Sequence, residues 1–157
     1  VYKRQPLDDE TVDVAFMFKS LHHVPLDLMQ PSMHEIKRVL KPGGYVYISE
    51  PIFDGDFNEV LRLFHDEQKV REAAFATVKY AVDEGLFEMV DDVLFNSPMH
   101  IEDFAEFEDN TIRATHSEHN LDDELYAIDK HKFEQHMSDE GANFLMPIRV
   151  DLLRKPS

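Results

Sequence analysis

Residues 12–50 read VDVAFMFKSLHHVPLDLMQPSMHEIKRVLKPGGYVYISE, and this stretch decides the fold. Val14 to Phe18 is uninterrupted apolar sequence, as in a strand covered on both faces, and Asp13 marks the exit from a turn. A polar loop, Lys19 to His23, follows. Met29, Met33, Ile36 and Leu40 then recur at helical spacing and share one face, while Glu35, Lys37 and Arg38 point elsewhere. Pro31 leaves the helix start open: either it is the first helical residue, or an earlier turn is distorted. Lys41 suits the negative end of the helix dipole, Pro42 cannot continue a helix, and Gly43 with Gly44 permits the positive φ angles of a reversal. Tyr45 to Ser49 is the second strand. The order makes one βαβ unit, with SLHHV at the carboxyl end of a parallel strand, where open α/β sheets bind ligands.

SLHHV followed by RVLKPGG resembles the second half of the class I S-adenosylmethionine-dependent methyltransferases, especially the methyltransferase type 11 group. The resemblance implies an α/β fold, namely the C-terminal part of a Rossmann-like methyltransferase sheet with a helical insertion. It implies S-adenosylmethionine as cofactor, and a small molecule whose O, N, S or C nucleophile attacks the cofactor's methyl group in line. It places Lys19, Ser20, Leu21 and His22 against the methionine and sulfonium end of the cofactor. His22 or His23 is the candidate base, since imidazole titrates near neutrality, and Glu50 and Pro51 border the same pocket. The plainer alternative for the two histidines is a polar loop filled by packing residues. Pro6, Leu7, Asp8 and Asp9 resemble the family segment ahead of the strand, with departures at Asp8 and Val12, where aromatics are usual.

The family's glycine-rich first loop and its ribose-binding acid have no counterpart here: none of the five glycines belongs to a G-x-G-x-x-G. Val1 to Gln5, VYKRQ, is the translation of a transposon-derived sequencing-adapter end. These five residues are therefore expected to be a scar, residues 6–157 a truncated methyltransferase domain that is inactive by itself, and the natural frame to continue upstream. The strand from 12 to 19 would then lie at an open sheet edge and invite self-association. The last strand is expected antiparallel, between the second and third.

Thirty-two acidic residues against sixteen basic ones give a formal charge of −16, which repels polyanions and makes nucleic-acid substrates unexpected. No apolar run approaches the roughly 18 residues that would span a membrane. The absence of cysteine excludes disulfides, thiolate metal sites and cysteine nucleophiles, and fits a cytoplasmic protein.

After Glu50, Asp56 and Glu59 look like a capping box before an apolar face of Phe57, Val60, Leu61 and Phe64. Val70, Ala74, Val78 and Val82 continue as a helix to Gly85, joined to the first or bent from it, and Leu86 to Phe95 reads as a strand. Residues 98–142 read as a helical cap insertion over the substrate pocket, and Asn143 to Leu153 as the last strand, with Pro147 favouring an edge or bulge. His116, His119, His131 and His136, with Glu118, Asp122 and Glu134, could be drawn as a metal site. No spacing fixes a third ligand and no H-E-x-x-H occurs, so no metal is expected. Ser20 has no G-x-S-x-G around it, so hydrolase chemistry is unsupported. Two alternatives come from other classes. One is a non-catalytic binding or interaction module built from half a methyltransferase fold. The other is a hydrophobic-ligand module lined by the Phe and Met residues of 53–107.

Overall fold

The computed structural model describes residues 7–113 and 121–157. The expectations for Val1 to Gln5 and Pro6, and for His116, Glu118 and His119, lie outside the described residues. The chain divides into two compact units, Val1–Pro51 with Lys69–Leu94 and Ile148–Ser157, and Ile52–Gln68 with Phe95–Pro147.

In the first unit β1 (Val12–Phe18) pairs in parallel with β2 (Leu40–Pro51), Val14 opposite Tyr45 and Phe18 opposite Ser49. Helix α1 (Met29–Val39) connects them and buries Met29, Met33 and Val39. Pro31 is its third residue, in the first turn, where no backbone donor is required. The helix ends one residue earlier than its apolar spacing suggests, because fully buried Leu40 is already extended (ψ 139°) and opens β2. Lys41 therefore serves no helix dipole; it pairs with Asp13 at 2.8 Å. The Lys-Pro-Gly-Gly segment is tied to the far end of the chain. Gly43 N–H donates to the Lys155 carbonyl (3.0 Å), Lys155 N–H to Gly44 (2.8 Å), and Lys155 Nζ to the Leu40 carbonyl (2.6 Å).

Strand β5 (Gly141–Arg154) runs antiparallel to β2, from Pro51 opposite Ile148 to Tyr45 opposite Arg154. The sheet order is β1-β2-β5-β3, where β3 is Glu88–Ile101, and the two-residue β4 (Met137–Ser138) also pairs with β5. The last strand thus lies between the second and third, as the resemblance implies, and β1 ends the order with β2 as its neighbour. Pro147 was expected at an edge or a bulge; β5 is interior, and the β2–β5 register ends at Ile148, one residue after it. Its missing donor falls just beyond the β2 ladder, where its carbonyl accepts from Ile52 N–H at 2.9 Å.

Helix α3 (Gln68–Asp83) joins α1 on one sheet face, and Met33, Ala74, Val78 and Ala81 pack with Val46, Ile48 and Leu153 into the core of this unit. The expectation that β1 is covered on both faces is corrected. Ala15 and Met17 lie against that core, whereas Phe16 and Phe18 are 61% and 63% exposed. Their rings stack 5.6 Å apart and lean on Tyr47.

The second unit holds α2 (Asp56–Leu61), α4 (Phe104–Phe107), a π-helical turn (Glu108–Ile112) and α5 (Asp123–Glu134). Phe57, Phe107, Phe133 and Phe144 form its core, with Phe64 and Phe104 packed on them. Here too the sequence expectation shifts. Residues 98–101 belong to β3 rather than to a helix, and 141–142 to β5, so helices occupy only 104–112 and 123–134 among the described residues of the expected insertion. No capping box forms at α2, since Gly55 at φ 89° is the N-cap and Asp56 is the first helical residue. A Cβ on Gly55 would meet Pro147 Cδ at 3.0 Å, so backbone freedom rather than a side-chain oxygen sets this helix start. Asp122, drawn above as a conceivable metal ligand, caps α5 by accepting from Leu125 N–H at 2.8 Å.

Candidate functional site

The site candidate is built where β1 ends. Lys19 N–H donates to the Ser49 carbonyl at 2.7 Å, carrying the β1–β2 pairing one residue past the strand. Lys19 then adopts φ 48°, in the left-handed region that non-glycine residues seldom occupy. This reverses the chain into a short 3-10 turn, Leu21–His23. The reversal aims two backbone donors at one acceptor: Ser20 and Leu21 N–H groups bond Glu50 Oε1 at 2.9 and 2.7 Å. The second carboxylate oxygen, Oε2, bonds His22 Nδ1. Glu50 is 2% exposed and His22 5%, so the cluster is removed from water.

Glu50 follows Val46 and Ile48 at strand period, on the face that forms the buried core. A carboxylate at the end of such a row is costly unless its oxygens are engaged, and this one meets two backbone donors and the His22 ring. The 3-10 turn begins on the same carboxylate, which satisfies N–H groups that a helical start leaves without intrahelical partners.

The five expected loop residues divide by environment. Lys19 and His23 are exposed, Ser20 is half-buried, and Leu21 and His22 are buried. Leu21 is fully enclosed in the core of its unit, so only its backbone can border a ligand. The amides of Ser20 and Leu21 are held by Glu50, and their carbonyls accept from His23 and Val24 N–H groups at 3.2 and 3.0 Å, which leaves the Lys19 and Ser20 side chains as the loop's contact groups. The His22 and His23 rings lie 4.0 Å apart, centroid to centroid. Pro51 is buried beside Glu50 at the end of the β2–β5 ladder.

The carboxylate that organises this loop was named from sequence only as a pocket border. The available signal was its parity: an acid in register with Val46 and Ile48 on a buried face must find partners, and the nearest chain is the loop after the adjacent parallel strand. In the second unit Asp129 is also fully buried, but neither carboxylate oxygen has a hydrogen-bond partner among the described residues. Burial raises its pKa from 3.8 to about 7, with Lys132 opposing the shift. On β5, Asp151 is likewise raised by burial while Arg149 beside it acts in the opposite sense.

The sheet order, with β5 antiparallel to β2, together with the loop at the end of β1, defines a Rossmann-like methyltransferase fold. The family model described as the methyltransferase domain matches residues 2–48, which take in β1, α1 and most of β2. Among curated proteins, the sterol 4-C-methyltransferase strm-1 of Caenorhabditis elegans is 40% identical over 58 residues, which are 36% of this chain and 16% of that protein. The chain thus spans about a sixth of the curated relative it matches. The YcgJ protein of Bacillus subtilis superposes with a TM-score of 0.61 at 15% identity, covering 97% of this chain and 67% of that one. A candidate methyltransferase of Bacillus halodurans C-125 gives a TM-score of 0.60 at 18% identity, covering 98% and 68%. At such identities these two structures speak for the fold. No helix among the described residues is long and apolar enough to cross a membrane.

Proposed function

We propose that the protein carrying this chain transfers a methyl group from S-adenosylmethionine to a small-molecule acceptor, and that the loop from Lys19 to His23 forms one wall of its reaction site. The observation that supports the reading is the buried assembly of Ser20, Leu21 and His22 on Glu50 at the carboxyl end of β1, with the three loop residues inside the segment that matches the family model and Glu50 two residues beyond it. The residues present fit one side of the cofactor. The loop offers polar backbone and side-chain groups at the strand end, while no glycine-rich loop occurs in the chain.

When bound, the cofactor supplies a methyl group on a positively charged sulfur, which needs little further activation. The part left to the chain is to orient donor and acceptor and, for a protonated nucleophile, to receive the proton. His22 is the candidate base of the pair, because the Glu50 carboxylate orients its ring. Exposed His23 is a packing neighbour. The chain alone holds only part of the cofactor site and is inactive by itself.

Calorimetry with S-adenosylmethionine tests this. The chain should bind with a dissociation constant of about a millimolar or weaker, about 4 kcal/mol of binding free energy. Micromolar binding by the chain alone would overturn the partial-site reading.

A further inference from the structure

We propose that a second copy of this chain docks on the outer edge of β1, in an antiparallel two-fold pairing centred on Phe16 that joins the two sheets into one. The proposal does not rest on the methyl-transfer reading.

The outer edge can be read from the ladder to β2. In a parallel pair, alternate residues turn both N–H and C=O towards the neighbouring strand. Lys19 N–H bonds the Ser49 carbonyl at 2.7 Å, so Ala15 and Met17, which share its parity, serve β2. Val14, Phe16 and Phe18 therefore turn their backbone groups away from β2, and β1 ends the strand order among the described residues. These same three residues carry exposed apolar side chains. Phe16 and Phe18 stack, and both lean on Tyr47, so the free backbone and an apolar surface coincide along one row. Edge strands are usually guarded by a charge or a proline. Between Asp13 and Lys19 this one has neither.

The row is self-complementary, which commits the occupant to a second copy. With Phe16 opposite its own counterpart, Val14 faces Phe18 and Asp13 faces Lys19 at both ends of the pairing. The pairs formed by residues 14, 16 and 18 then exchange two N–H···O bonds each, and apolar side chains meet apolar side chains on one face. Exposed Lys19 forms no ion pair among the described residues, and Asp13, though it meets Lys41 at 2.8 Å, stays largely exposed. A two-fold centred on Ala15 or Met17 keeps the hydrogen-bonding parity but separates Asp13 from Lys19. The formal charge of −16 opposes association, yet the row between the two charged ends is neutral and distant repulsion is screened within about 8 Å at 0.15 M salt.

The wild-type chain at 0.15 M salt is enough for the test. Sedimentation equilibrium should show a monomer–dimer equilibrium between micromolar and millimolar chain. Over that range amide exchange at Val14, Phe16 and Phe18 should slow about tenfold or more, while Ala15, Met17 and Lys19, already held by β2, change little. In a mixture of labelled and unlabelled chain, isotope-filtered NOEs should join Ala15 Hα to Met17 Hα across the copies, the close non-hydrogen-bonded pair of this register. A chain that stays monomeric throughout overturns the proposal and gives the edge to another occupant. So does a dimer whose new protection falls outside these three amides. Contacts of Ala15 with Ala15, or of Met17 with Met17, overturn the centre on Phe16.

Discussion

Replacing Asp129 with Asn should remove a pH dependence that belongs to the second unit alone. Both oxygens of Asp129 lack partners inside that unit, and burial raises its pKa from 3.8 to about 7. The charged form is thus disfavoured in the fold and free in the unfolded chain. Below pH 4 the group is neutral in both states and costs nothing. As pH rises from about 4 to about 7 the unfolded chain gives up its proton and the folded one does not, so stability falls; above about 7 it is flat. The shift of about 3 units at about 1.4 kcal/mol each comes to about 4 kcal/mol. The Asn side chain is isosteric and uncharged, so its constant offset, from amide hydrogens that find no acceptor, does not vary with pH. Because the chain has two units, one global unfolding transition need not report on this one. Native-state hydrogen exchange of the α5 amides reads local stability directly. The advantage of Asp129→Asn over wild type should grow by about 4 kcal/mol between pH 4 and pH 8. A difference that stays constant across that range would refute the claim that Asp129 is buried without partners.

At the turn before β2, a Cβ on Gly44 would sit 2.9 Å from the carbonyl oxygens of Asp13 and Lys41, whereas one on Gly43, at φ +75°, would meet nothing within 4 Å. Gly44→Ala should therefore destabilise the first unit by about 2–3 kcal/mol, against about 1 kcal/mol for Gly43→Ala, and urea melts showing the reverse order would contradict the packing described. Phe16 and Phe18 stack on the exposed face of the end strand. If β1 pairs with a second copy, sedimentation should show concentration-dependent association that Phe16→Lys abolishes, and an unchanged monomer in both proteins would dismiss the edge as an interface. In the whole enzyme His22→Ala should lose turnover with cofactor binding kept while His23→Ala changes kcat little; equal effects would leave both histidines as packing residues.

Much of the first unit was legible because its constraints are local. An apolar run, a helical period and a Pro-Gly-Gly reversal each have a small set of conformations, and SLHHV with RVLKPGG fixed their order. The helix end was misjudged by one residue since Leu40 satisfies the helical apolar period and the strand core equally well. Its extended backbone pairs with Val12 of β1 and presents its carbonyl to Lys155, contacts that lie far away in sequence. Coverage of both faces of β1 was read from composition, yet an apolar run does not say which neighbours are present to cover it. In the second unit, Met99 and Ile101 fit a strand as readily as a short helix, and Gly55 replaced an expected side-chain cap because the close approach of Pro147 is a tertiary fact. Glu50 shows the same limit at the site. Its strand parity was visible, but the two amides and the ring that converge on it depend on the left-handed turn at Lys19.

The central claim, that the loop after β1 is a cofactor wall, is tested most directly by titrating the labelled chain with S-adenosylmethionine and following backbone amide shifts. Weak binding should move the resonances of Lys19 to Val24 and Glu50 progressively up to millimolar cofactor, with little change in the second unit. Shifts confined to residues outside the loop, or none in the loop at any concentration, would contradict it.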